Sequence, residues 1–132
     1  MNEEILVRII TPAIIVLECK AEIATMPGEY GEFGVLPEHS PLIANLHPGI
    51  MKVSLRHSHC EYFIYGGVAQ VVGREVNVAT EFAVELTKVK KSEIIDKIAL
   101  LKEKIAIETD SDEIFDTRHD LEIYETLISF LK

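Results

Sequence analysis

A chain of 132 residues that is 48% hydrophobic and 27% charged is sized for one or two compact units and too apolar to be disordered. Its net charge of −9 speaks against nucleic acid and against direct adhesion to anionic lipid, so any membrane association is expected to run through another protein. No apolar run reaches spanning length, and the start has neither the basic segment of a signal peptide nor the Arg/Ser-rich character of a transit peptide, so the chain is expected to stay in the compartment that makes it.

From the N-terminus, short runs rich in Ile, Val, Phe and Tyr cover residues 5–11, 14–18 and 21–26. After an interruption they resume at 49–55, 61–65, 68–72 and 75–80. Turn signals at close intervals predict an all-β sandwich or barrel of roughly eight to ten short strands. Cys19 and Cys60 lie far apart without a CxxC pair and read as packing residues of a reducing compartment.

The interruption is the most informative stretch. Between residues 26 and 41, Gly28, Gly31 and Gly34 admit positive φ, while Pro27, Pro37 and Pro41 fix φ and remove donors. Neither a helix nor a central strand is expected to pass through. The stretch predicts a shaped surface loop displaying Glu29, Glu32, Glu38 and His39, either as a binding tip or as a plain double turn. Further on, Gly66-Gly67 between two strand-like runs suggests a bulge or a close backbone approach.

Near Leu86 the period changes. Residues 1–86 hold 5 basic and 11 acidic side chains, and residues 87–132 hold 8 and 11. Ile94, Ile98, Leu101 and Ile105 recur at helical spacing, as do Ile114, Leu121, Tyr124, Ile128 and Leu131. Ser92 can cap the first helix and residues 108–112 offer caps for the second. The predicted fold is therefore an all-β N-terminal sandwich or barrel (1–86) followed by an antiparallel two-helix hairpin (87–132). Two such helices enclose too little surface for a dry core of their own, so part of their apolar face needs a partner.

Gly31-Glu32-Phe33-Gly34-Val35-Leu36-Pro37-Glu38-His39-Ser40-Pro41-Leu42, then Leu46-His47-Pro48-Gly49, then Tyr65-Gly66-Gly67-Val68-Ala69-Gln70-Val71, resemble in order and spacing the epsilon subunit of bacterial F-type ATP synthases. The resemblance covers the first 86 residues; beyond residue 90 it rests on length and helical character. It implies a non-catalytic central-stalk subunit without a cofactor, which couples the gamma subunit to the c-ring in proton-driven ATP synthesis. It also implies a peripheral location on the cytoplasmic face of the bacterial inner membrane. On the family pattern Glu32 and His39, with Gly31 and Phe33, would contact the c-ring, and the hairpin could reach the alpha/beta head and restrain ATP hydrolysis. Family members that bind ATP carry Asp-x-x-Arg-Ala on the first helix. Here Ile95, Asp96 and Ala99 occupy that stretch without the arginine, and residues 110–132 hold seven acids and two bases, so a nucleotide site and strong inhibition are not expected.

An enzyme reading competes. His57, His59 and Glu61 alternate as metal ligands do in cupin-like barrels, with the helices serving dimerisation, although they fall where a hairpin turn is expected. His47 sits in a different turn, and His119 reads as solvated. Nucleophile-elbow, phosphate-loop and dinucleotide-binding glycine patterns are absent from the sequence.

Overall fold

Strict alternation of inward and outward residues builds the first strand, in which Ile5, Val7 and Ile9 are buried and the residues between them are half-buried. The computed structural model describes residues 3 to 131, and the chain divides into two units, Met1–Leu86 and Thr87–Lys132. The first contains β1 (Ile5–Ile10), β2 (Ile15–Ala21), β3 (Ile23–Gly28), β4 (Gly31–Val35), β5 (Leu42–Ser54), β6 (His59–Val72), β7 (Glu75–Ala79) and β8 (Ala83–Glu85). A 3-10 turn (Leu86–Lys88) spans the boundary in sequence, and the second unit contains α1 (Lys91–Ile107) and α2 (Ser111–Ser129).

The strands follow the order β2-β1-β7-β6-β5-β3-β4, with β8 on the other stretch of β6. Neighbours are antiparallel except β1 and β7, which run parallel. The expected strands 61–65 and 68–72 prove to be one long strand, β6, and the run at 49–55 extends back to Leu42 as β5.

These two strands bend rather than break. In β5 the inward residues pass from Leu46 to Met51 and Val53, and in β6 from Tyr62 and Ile64 to Ala69 and Val71. Parity therefore flips in both, at the point where Pro48 faces Tyr65 and beside Gly66 and Gly67. The register stays constant from the pair Leu42–Val71 to the pair Ser54–His59, so no residue is inserted; both strands bend together at the positive-φ glycines, which re-aims their side chains. One ribbon thus turns its apolar side inward on both stretches, the means by which strands pass between the layers of a sandwich. Gly66 has φ 71° and Gly67 φ 120°, and a Cβ on Gly67 would fall inside the shell of the Ala79 carbonyl oxygen. The close approach expected at this pair is present. Cys19 and Cys60 are free and pack against the core, and burial pushes both thiols up.

In the second unit, Ile94 and Leu101 are buried on α1, with Ile98 and Ile105 half-buried between them, as the spacing predicts. On α2 the buried positions are Thr117, Ile123 and Leu127, while Leu121, Tyr124 and Ile128 are half-buried. The apolar stripe of α2 is thus wider than the expected seam and centred to one side of it. The start of α1 also differs: its N-cap is Lys90, without a side-chain cap bond, and Ser92 lies inside the helix. Asp110 caps α2 fully, its carboxylate accepting from the backbone N–H of Asp112 at 2.9 Å and Glu113 at 3.2 Å. His119 is half-buried rather than solvated.

Candidate functional site

The glycine- and proline-rich stretch does form strands, contrary to the expectation of a pure loop. Pro27 lies in β3 opposite Glu32 of β4, where β3 has lost regular pairing with β5: Thr25 faces Lys52, and the next matched pair is Gly28 with Leu46. A residue without an N–H is tolerated in a strand at such an interruption. The β3–β4 turn, Glu29-Tyr30, then projects as a tip, with Tyr30 98% exposed. Gly31 turns the chain at φ 127° with open space around it, so its backbone conformation, not crowding, requires glycine.

Phe33 returns over this turn. A Cβ on Gly28 would lie 2.7 Å from the Phe33 ring and 2.7 Å from the Gly31 carbonyl oxygen, so the ring seats on bare backbone. After β4, the Leu36 carbonyl accepts from the His39 N–H at 3.0 Å, closing a turn that brings His39 back to the tip. Its Nδ1 lies 2.6 Å from the Ser40 carbonyl oxygen; a carbonyl only accepts, so Nδ1 carries the proton and donates. Nε2 is left for an outside partner.

The structure brings Gly31, Glu32, Phe33 and His39 to one open groove of about 740 Å³, bordered also by Tyr30, Ile43 and Asn45. Glu29 and Glu32 line it, and among the described residues no lysine or arginine does. Such a surface favours a partner rich in hydrogen-bond donors or positive charge, and it offers no activated nucleophile.

Sequence reasoning missed three residues here. Gly28 was one glycine among several, although the ring beside it is what demands it. Asn45 carried no motif signal. His47, assigned to a separate turn, lies in β5, where its Nε2 donates to the Glu29 carbonyl at 3.1 Å. The long-range pairing of β5 with the tip, invisible in local sequence, is the reason.

The competing ligand set does not assemble. His57 is in the β5–β6 turn, His59 opens β6, and Glu61 follows on that strand. Among the described residues no group of three His, Cys, Asp or Glu side chains could hold a metal. The enzyme reading therefore loses its site. A second hollow, about 530 Å³ beside Pro12 and Gly67, offers Tyr65 and Glu81 as its ionisable groups, with no second carboxylate for acid–base work.

Residues 4–86, the strands that carry the tip, match the model of the ATP synthase delta/epsilon chain β-sandwich domain. The chain belongs to the ATP synthase epsilon chain family. It is 42% identical over 109 residues to the ATP synthase epsilon chain of Rickettsia felis, covering 80% of this chain and 97% of that one. To the epsilon chain of Rickettsia bellii it is 44% identical over 108 residues, covering 80% and 100%. Its fold is similar to a chain in the mitochondrial ATP synthase of Euglena gracilis, at TM-score 0.68 and 24% identity over 98% of this chain and 82% of that one. A chain of the central stalk and c-ring structure of the Tetrahymena thermophila enzyme gives 0.59 at 13%, covering 96% and 98%.

The family resemblance seen at residues 31–42 and its fold class are thus borne out. An epsilon chain is a non-catalytic subunit of the synthase, in keeping with the chemistry of the tip. On α1, Ile95, Asp96 and Ala99 are all exposed. No helix among the described residues is long and apolar enough to cross a membrane.

Proposed function

We propose that this chain is a central-stalk subunit of a proton-driven F-type ATP synthase, with its tip seated on the c-ring and its sandwich held by the gamma subunit. The family match over residues 4–86 carries the reading. The acidic groove supports placing the ring contact at Glu32 and His39, flanked by Gly31 and Phe33. A carboxylate and an imidazole with a free nitrogen can fix register against polar loops without any chemistry of their own. The location is then peripheral, on the cytoplasmic face of a bacterial inner membrane. Glu32→Lys reverses the charge at the contact. The expected outcome is impaired proton-driven ATP synthesis in membrane vesicles with the subunit still assembled; normal synthesis would sink the assignment.

The hairpin is a weak regulator at most. Six of the 19 residues of α2 are acidic and one is basic, so α2 would meet an acidic or phosphate-bearing partner with like charge. Inhibition would then fall to Lys97, Lys102 and Lys104 of α1, to apolar contact or to obstruction of the alpha/beta head. With Ala99 where a phosphate-gripping arginine would stand, no ATP site is assigned to Ile95, Asp96 and Ala99. Ending the chain after Leu86 should leave hydrolysis by the assembled head little changed, and a several-fold rise would show strong inhibition instead.

A further inference from the structure

The tip leans on a gap. Between the pair Thr25–Lys52 and the pair Gly28–Leu46, β3 advances three residues while β5 runs back six, so the ladder that should carry the tip is open there. Pro27 sits in this gap without a donor and rests on Gly49, where a Cβ would lie 3.0 Å from that of Pro27. On its other side the tip is paired only with β4, an edge strand. A hairpin end held this way would swing about the gap unless something beyond it closed the angle.

Three bonds do, and all converge on Glu29. Its N–H donates to the Asn45 carbonyl at 2.9 Å. Its carboxylate accepts from Asn45 Nδ2 at 3.3 Å, and its carbonyl accepts from His47 Nε2 at 3.1 Å. All three partner atoms belong to β5, two from Asn45 just beyond the gap and one from His47 at its tip-side margin. We propose that Glu29, Asn45 and His47 form a latch that fixes the pose of the Tyr30–Phe33 tip, making Asn45 and His47 positioning residues for rotor coupling. The coupling half of this inference rests on the function proposed above; the latch half does not.

The test uses the full chain for hydrogen exchange and the assembled synthase for coupling. In Asn45→Ala and in His47→Ala, amides of residues 28–33 should exchange about fivefold faster, as expected for the loss of one net hydrogen bond, with the midpoint of global unfolding unchanged. Asn45→Asp should loosen the tip further, since it sets a second carboxylate against Glu29. His47→Gln should restore slow exchange, because its amide nitrogen can donate where Nε2 does. Combined with Glu29→Ala, the Asn45→Ala change should be less than additive. Proton-driven ATP synthesis should fall in both alanine variants and recover with His47→Gln. Unchanged exchange in both, or no recovery with His47→Gln, would overturn the latch. Faster exchange with undiminished synthesis would overturn the positioning role, and it differs from failure of the ring contact itself, which normal synthesis by Glu32→Lys would reveal.

Discussion

The sandwich and the hairpin are stabilised by different means. Among the described residues of the sandwich, sixteen buried apolar side chains form one cluster, and the chain path around them depends on positive-φ backbone that favours glycine. Among the described residues of the hairpin five are buried, Leu100, Ile107 and Phe115 stay exposed, and caps and charges supply specific contacts. Steric constraint cannot be screened or hydrated away, whereas surface polar contacts compete with water. Breaking these features should therefore cost several kilocalories per mole in the first unit and at most about 1 kcal/mol in the second.

Gly67→Ala is the strongest way to break that comparison. The new methyl would collide with the Ala79 carbonyl while the backbone holds φ at 120°, so neither a rotamer nor a neighbouring side chain can relieve it. A loss of about 4 kcal/mol in denaturant unfolding is expected, from overpacking and strain together. Gly73→Ala is the control, since Gly73 has φ 60° with open space around it, and should cost about 1 kcal/mol. Equal losses would mean that the bend of β6 is not what holds the layers.

Tyr62 sharpens the picture through pH. It is buried in the core cluster and faces Glu85 across β6 and β8, and burial first, then the Glu85 charge, pushes its phenol from 10.0 up to about 12. The folded state therefore keeps a proton that the unfolded state gives up. Stability is fully present below pH 10 and is lost as pH rises from 10 toward 12, at no more than about 1.4 kcal/mol per pH unit for one proton. Unfolding midpoints measured across that window should flatten in Tyr62→Phe. An unchanged slope would place the alkaline sensitivity in other groups, Cys19 and Cys60 first, since burial raises both.

Much of this was legible before the fold was known. Hydrophobic alternation and the change to helical spacing near Leu86 gave two kinds of structure, and the spacing of Ile94, Ile98, Leu101 and Ile105 gave the inner face of α1. At Gly66-Gly67 a close approach was legible, but the parity flips at Pro48 and Gly66 were not, because the backbone that Gly67 approaches, Ala79, lies on another strand. The same holds for Pro27, whose place in β3 depends on a gap opposite Lys52, and for His47, which acts 18 residues from its partner Glu29. The tip residues Glu32 and His39 stood out because turn chemistry is local. What steadies them was hidden, because it is not.

Asp110→Ala tests the side-chain cap of α2, a polar contribution internal to the hairpin. Removing the carboxylate frees the N–H groups of Asp112 and Glu113 to water and should cost about 1 kcal/mol of helix stability, visible as fraying of the first turn of α2 in hydrogen exchange. Asp110→Asn retains an acceptor and should recover most of it. A loss matching that of Gly67→Ala would contradict the division drawn between the two units.

The smallest effect belongs to the pair Lys104 and Glu113, 3.7 Å apart with both side chains more than half exposed. Glu113 lies in the first turn of α2, so Glu113→Gln removes the ion pair and also a charge that favours the helix N-terminus. Lys104→Gln likewise removes the ion pair and also withdraws a favourable cation from the last turn of α1. Each should cost only about 0.5 kcal/mol, fading at high salt as screening removes the Coulomb contribution. α2 carries Asp112, Glu113 and Asp116 within its first two turns, so a cation beside Glu113 should also offset repulsion among them. If that relief matters, Lys104→Gln should be the more salt-sensitive of the two variants, because added salt screens the repulsion that the substitution unmasks. Equal salt dependence in thermal unfolding would reduce the contact to an isolated surface pair.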